Sequence, residues 1–373
     1  MSKVLADDGG FKHIVSLSLK IKNYICHKSL RMKKLLLILL CLPIISFAQQ
    51  NFIAGQSYFG QNNYVEYIAG NLPIIIGVPH GGILTPANLP VIHNRGVDNG
   101  SFETSQLLYD SIVQHTNGCF PHMIISHLHP SVMNPVREID TAAGTNIEAR
   151  NAWYEFHDFI DTSKFDITNT WGAGHYFEMH GNGHSEMWTE IGLGVSKSYL
   201  NGSDSLILSR TNYSTVKNLC TNGGADFLEI IKGPTSLGGL LDSKGWNSVP
   251  SPSNPSPNTG GFFYAGWNTW RHGSRYSGVI DASHVENYYV FMQTSNRNQY
   301  SNDLSNSIIE FMNIHYGFVM DCTTTSAIEI EKTSNKKLLM ATDILGQETS
   351  YRRNTMLFYI YDDGTVEKKI IIE

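Results

Sequence analysis

The segment from Leu72 to Pro79 reads LPIIIGVP, an apolar run with isoleucine at 74, 75 and 76 and no polar alternation. β-Branched side chains suit a pleated strand, and a run apolar on both sides needs cover on both faces. That requirement points to a sheet sandwiched by helices, and the chain downstream supplies both periods. Asp98 to His115 has helical spacing, with Phe102, Leu107, Leu108 and Ile112 on or near one side. Phe120 to Leu128 reads as the next strand and Ile147 to Ile160 as a helix. Further strands are expected over Tyr176–Met179, Ile191–Val195 and Gly278–Val285, with Leu304–Tyr316 as a closing helix. Ser248 to Gly261, rich in Pro, Ser, Asn and Gly, must be a loop. The alternation predicts an α/β fold with a mixed, mostly parallel, doubly wound sheet.

The texture changes near residue 321. Ala327–Glu331, Lys337–Asp343, Leu357–Tyr361 and Val366–Ile372 are short strand-like runs, and Asp363-Gly364 is a hairpin signal between the last two. This predicts a small all-β appendage at the C-terminal end. The 373 residues suffice for one large domain plus that appendage. Charged residues make up only 16%, below the roughly 25% of an average soluble protein. A net charge of −6 with scattered Lys and Arg argues against nucleic acid as a partner.

Met32-Lys33-Lys34, the apolar run Leu35–Ile45 and the small residues Ser46 and Ala48 together fit an export signal cleaved before Gln49. The run is too short for a permanent membrane span. Residues 1–31 are then read as upstream read-through, 32–48 as the signal peptide, 49–320 as the main domain and 321–373 as the appendage. Of five cysteines, Cys119, Cys220 and Cys322 stay in the mature chain. An odd number cannot complete a disulfide framework.

Three strand exits carry metal-competent side chains beside glycine or at a strand end: Pro79-His80-Gly81-Gly82, His180-Gly181-Asn182-Gly183-His184, and Glu286 after Val279–Val285. Ligands gather at the carboxyl ends of strands in open α/β sheets. The shared pattern makes His80 and His180 candidate metal ligands, although a lone histidine is more often a hydrogen-bonded structural residue. The chain has no Gly-x-Ser-x-Gly elbow, no His-Glu-x-x-His helix and no phosphate-binding glycine loop.

VPHGG at 78–82, the Asp98…Glu103 pair, LHPSVMNPVREI at 128–139, YFEMHGNGH at 176–184, the run from Glu190, NTWRHG at 268–273 and the strand ending at Glu286 occur in that order. Together they resemble the N-formylglutamate amidohydrolase family of the zinc-carboxypeptidase type, over roughly residues 70–316. The resemblance implies a zinc-exopeptidase fold and one zinc held by His80, His180 and a carboxylate, Asp98 or else Glu103. Asp98 could equally cap the following helix, and Glu103 could face solvent. It further implies Glu286 as general base and acid, with Glu190 as a competing candidate, and Arg137 as the anchor for a substrate carboxylate, with Arg271 as a second positive charge. Pro130, Val132, Asn134 and Val136 depart from the polar residues usual in the family.

The tail LLMATDILGQET…LFYIYDDGTVEKKIIIE resembles the C-terminal sorting domain of type IX secretion substrates, which implies the secretion machinery as a partner and a secreted or cell-surface location. The leading expectation is a secreted zinc amidohydrolase acting on small N-acyl amino acids or peptides that carry a carboxylate. The alternative is a catalytically silent binding module on the same fold, favoured by the departures at Asn134 and Val136.

Overall fold

The computed structural model describes residues 52–325, 338–342, 356–361 and 366–370. The expected signal peptide, the upstream segment, Ala327–Glu331 and Asp363-Gly364 lie outside the described residues. Eight strands form one sheet: β1 (Ser57–Phe59), β2 (Val65–Ile68), β3 (Ile74–Val78), β4 (His122–Ser126), β5 (Gly174–Asn182), β6 (Thr189–Gly192), β7 (Ser248–Val249) and β8 (Ile280–Tyr288). Their spatial order is β1-β2-β4-β3-β5-β8-β6-β7. The central strands β4, β3, β5 and β8 run parallel, while β2 joins β4 and β6 joins β8 antiparallel. The α/β class and the mostly parallel sheet are therefore as the alternation predicts.

The LPIIIGVP run becomes β3, buried at every position from Ile74 to Val78. Its alternate side chains serve opposite faces, as do those of β5 and β8. Ile76, Val78, Phe177, Met179 and Val285 enter the main apolar cluster, with Leu108 and Ile112 of helix α1 (Ser101–His115). Helix α2 (Ile147–Trp171) lies on the other face, where Phe159 stacks on Tyr67 of β2 at 5.1 Å. Asn146 caps that helix through the backbone N–H groups of Glu148 and Ala149. Helix α3 (Trp267–His272) covers β5 and β8, and helix α4 (Arg297–Tyr316) packs beside α1, adding Tyr300, Leu304 and Ile308 to the apolar cluster. Each such side chain contributes about 1.5–3 kcal/mol when fully buried.

In the tail, β9 (Leu338–Thr342), β10 (Met356–Tyr361) and β11 (Val366–Ile370) form a separate antiparallel sheet in the order β11-β10-β9. No helix among the described residues is long and apolar enough to cross a membrane. Cys119, just before β4, is disulfide-bonded to Cys322, while Cys220 is free. The odd count thus hides one bond and one spare thiol.

That bond joins positions 203 residues apart and restricts the unfolded chain strongly. Replacing both partners by Ser should cost about 2–4 kcal/mol in denaturant unfolding under oxidising conditions. The effect should vanish when the unsubstituted chain is reduced; equal midpoints before reduction would show that the bond contributes nothing.

Candidate metal and catalytic site

The face of β5 and β8 turned away from the main apolar cluster is polar. Register pairs Glu178 with His284 and His180 with Glu286, so four ionisable side chains form a two-by-two block on neighbouring strands. All four are buried. Asn287 Nδ2 donates to the His180 carbonyl at 2.8 Å, and Asn182 Nδ2 donates to the Glu286 carbonyl at 2.7 Å, bracing both strand ends.

His80 leaves β3 beside this block. A Cβ on Gly82 would lie 2.3 Å from the His127 carbonyl carbon, so the turn after His80 needs glycine there. Asp98 comes from the loop preceding α1. The residue at that helix's N-cap is Gly100, and the Asp98 side chain turns instead toward the two histidines. Asp98 Oδ2 lies 3.0 Å from His180 Nδ1 and 3.3 Å from His80 Nδ1. One donor atom from each of the three residues lies within 4.8 Å of the other two.

The tautomer of His80 follows from its neighbours. Asn134 Oδ1 accepts from the Val136 backbone N–H, so it is the oxygen of that amide and must accept from His80 Nε2–H at 2.8 Å as well. With the proton on Nε2, Nδ1 carries a lone pair, which accepts from Arg95 Nη2 at 3.2 Å. Burial lowers the His80 pKa, in keeping with a neutral ring. A lone pair and a carboxylate oxygen 3.3 Å apart repel one another unless a cation sits with them. Arg95 does so in part, also donating to Asp98 Oδ1 at 3.0 Å. Two imidazoles and one carboxylate, with one lone pair of His80 free of a proton, could hold a metal ion.

Burial would raise the Asp98 carboxyl, but the hydrogen bond and charge of His180 outweigh it and hold it well below the usual range. Burial works against protonation of His180 too, yet Asp98 and Glu178 pull its pKa up to about 10. Glu178 is likewise held low despite complete burial, by His180 and His284.

His80, His180, His284 and Glu286 line a cleft of about 460 Å3. Arg95 and Arg137 stand on its basic side, and Phe263, Trp267 and Trp270 form an aromatic wall. The remaining candidates are placed elsewhere. Glu103 is exposed on α1 and does not join the cluster. Glu190 is buried opposite Glu286 on β6, occupied by His184 Nδ1 at 2.5 Å and the Phe263 N–H at 2.6 Å, and burial raises its pKa. Arg271 lies outside the cleft lining and stacks over the rings of Trp153 and Trp267 at 5.4 and 5.2 Å. Glu178, His284 and Arg95 went unnoticed in the sequence, although Glu-x-His on β5 and His-x-Glu on β8 are a period-two signal.

No family model and no curated protein matches this chain. Solved structures do, two among them at low identity. A gene product of Agrobacterium tumefaciens is 9% identical with a TM-score of 0.42, covering 67% of this chain and 95% of its own. N-formylglutamate amidohydrolase from Ralstonia eutropha is 12% identical with a TM-score of 0.38, covering 72% and 100%. The chemistry of the cleft rests on the side chains described above.

His80→Ala, His180→Ala and Asp98→Asn should each lower bound zinc sharply after reloading, with far-UV circular dichroism unchanged. Glu103→Gln should bind zinc as the parent does. Retention of full zinc by both histidine variants, measured by mass spectrometry of the metal, would place the ion elsewhere.

Proposed function

We propose that this chain is an exported, zinc-dependent hydrolase of amide bonds in small N-acyl amino acids or peptides. The observation that carries this reading is a two-histidine, one-carboxylate ligand set whose two histidines line one cleft with a separate buried carboxylate, Glu286, directly across the strand ladder from His180. His80, Asp98 and His180 would hold the ion. When bound, it supplies the positive charge that polarises a carbonyl and acidifies water.

Glu286 is the candidate proton carrier. It lines the cleft, His284 Nε2–H holds its Oε1 at 3.0 Å, and its Oε2 has no hydrogen bond. A carboxylate with one oxygen anchored and the other unengaged can accept a proton from water and return it to a departing nitrogen without turning away. Arg137, exposed on the cleft rim, presents a guanidinium suited to a substrate carboxylate. The wall of Phe263, Trp267 and Trp270 suits an apolar acyl group or side chain. Of the positions that depart from the family pattern, Asn134 holds His80 in its ligating tautomer, so that change keeps the metal site intact.

Export rests on the signal-like segment 32–48, and a disulfide fits an oxidising compartment. The tail, with its own three-stranded sheet and the terminal YDDGTVEKKIIIE, is proposed as the address read by type IX secretion machinery.

A hydrolysis screen of N-acyl amino acids and peptides, run with zinc-loaded protein, tests the reading. Glu286→Gln should keep zinc and lose kcat by about 10²- to 10⁴-fold, as loss of general acid–base catalysis does. Near-normal turnover in that variant would remove Glu286 from the chemistry.

Arg137→Ala should weaken kcat/KM for acidic substrates by about 10- to 100-fold, the worth of a hydrogen bond to a charged group. Amidated or esterified analogues should lose far less. Equal losses on both would mean that Arg137 supports the loop and that another group reads the substrate.

A further inference from the structure

Glu178 is a wholly buried charge in the polar layer, and neither ligation of the ion by His80, Asp98 and His180 nor the chemistry of Glu286 uses it. It is wholly buried at the centre of β5. Its Oε1 accepts from the Tyr176 hydroxyl at 3.3 Å. Its Oε2 accepts from His284 Nδ1–H at 3.1 Å and lies 3.5 Å from His180 Nε2. That last contact is an ion pair longer than a hydrogen bond, and His180 Nε2 has no hydrogen-bond partner among the described residues. A buried ring N–H aimed at a buried carboxylate oxygen is nevertheless the arrangement by which an outer carboxylate orients a ligating histidine.

His284 continues the chain. Both of its nitrogens face carboxylate oxygens, Glu178 on one side and Glu286 on the other. Ionised carboxylates only accept, so both nitrogens donate, and the ring is fixed at both ends. Its orientation cannot change without breaking one of the two bonds. The cover over this layer is equally close: a Cβ on Gly266 would lie 3.0 Å from both Glu178 Oε2 and His284 Cε1, a tight contact that would press on both groups.

We propose that Glu178 is a positioning residue that ties the metal site to the proton carrier, bracing His180 through Nε2 and bracing Glu286 through His284. One carboxylate thereby sets the aim of a ligand to the ion and, two bonds away, of the group that handles the proton. The neighbouring strands keep the two at the fixed spacing of a parallel ladder. The kinetic half of this idea rests on the hydrolase reading; the metal half does not.

The test uses the full chain, stripped and reloaded with zinc or cobalt(II). Glu178→Gln keeps shape and removes charge, and it should raise the zinc Kd by about 10- to 100-fold, as loss of an outer-shell partner does. The visible spectrum of the cobalt form should shift with it, a change that general loosening of the fold would not give at unchanged Tm. His284→Gln should leave zinc affinity and the cobalt spectrum as they are, while kcat falls on the order of 10- to 100-fold with KM little changed, the cost of a mis-aimed group. An unaltered zinc Kd and cobalt spectrum in Glu178→Gln would overturn the proposal. So would two zinc ions per unsubstituted chain falling to one in either variant, which would assign Glu178, His180 and His284 to a second ion. The metal readouts need no substrate. Absence of all amide hydrolysis would therefore refute the hydrolase reading while the zinc and cobalt results still decide the role of Glu178.

Discussion

The parallel ladder between β5 and β8 joins Gly174 to Ile280 at one end and Asn182 to Tyr288 at the other. Along it the two faces of the same strands do opposite work. Phe177, Met179 and Val285 point into the apolar cluster with α1 and α4, while Glu178, His180, His284 and Glu286 point the other way. A slip of one residue in either strand would exchange the faces, placing carboxylates among leucines. Burying an ionised carboxylate without partners is so costly that the group would neutralise instead. Here Glu178 and Glu286 each meet an imidazole, and Phe177, Met179 and Val285 on the other side of the ladder help hold the register that makes those meetings possible. Packing on one face therefore specifies chemistry on the other.

Much of this was legible in the residues. An unalternated isoleucine run announces a strand covered on both sides, and glycine beside histidine at a strand exit announces room for a ligand. Those two signals locate His80 and His180, and Asp98 joins them from a loop that the helix start brings close. The choice between Asp98 and Glu103 could not be made from spacing, because both sit near the start of α1 and only backbone direction separates them. Asp98 precedes the first turn and folds back over the sheet edge; Glu103, within the turn, projects outward. The cysteine pair was hidden for a different reason. Cys119 and Cys322 are brought together only by the whole course of the chain between them, and no local pattern encodes that.

Glu178 and His284 show where reading for motifs stops short. Each stands two residues before a residue that was singled out, and two residues is the period of a strand, so each shares a face with its neighbour. The inference needs one further fact, that β5 and β8 are adjacent and parallel, and that fact is topological. Glu190 shows the reverse. Its position opposite Glu286 makes it a natural rival for the proton, but antiparallel pairing from β6 also places it against His184 and the Phe263 N–H, which occupy both of its oxygens. Proximity in the ladder supplies candidates, and the remaining hydrogen bonds sort them.

The segment that closes over the polar layer also builds the far wall of the cleft. Gly266 passes close over Glu178 and His284, where a Cβ would make tight contacts of 3.0 Å, and the chain then turns directly into α3. From there Trp267 and Trp270 face the cleft, while Arg271 stacks back over Trp267 and Trp153. The Trp153 indole N–H donates to the Arg137 carbonyl at 2.9 Å, so the same stack fixes the backbone that carries the basic rim. Arg271 thus acts on the cleft without lining it: cation–π contacts of this kind are worth about 0.5–2 kcal/mol, enough to hold two indole rings in one arrangement. A Cβ at 266 would press on Glu178 and His284 at the point where the chain enters α3. The cover of the buried charges, the aromatic residues and the arginine rim are thus joined by one continuous run of contacts.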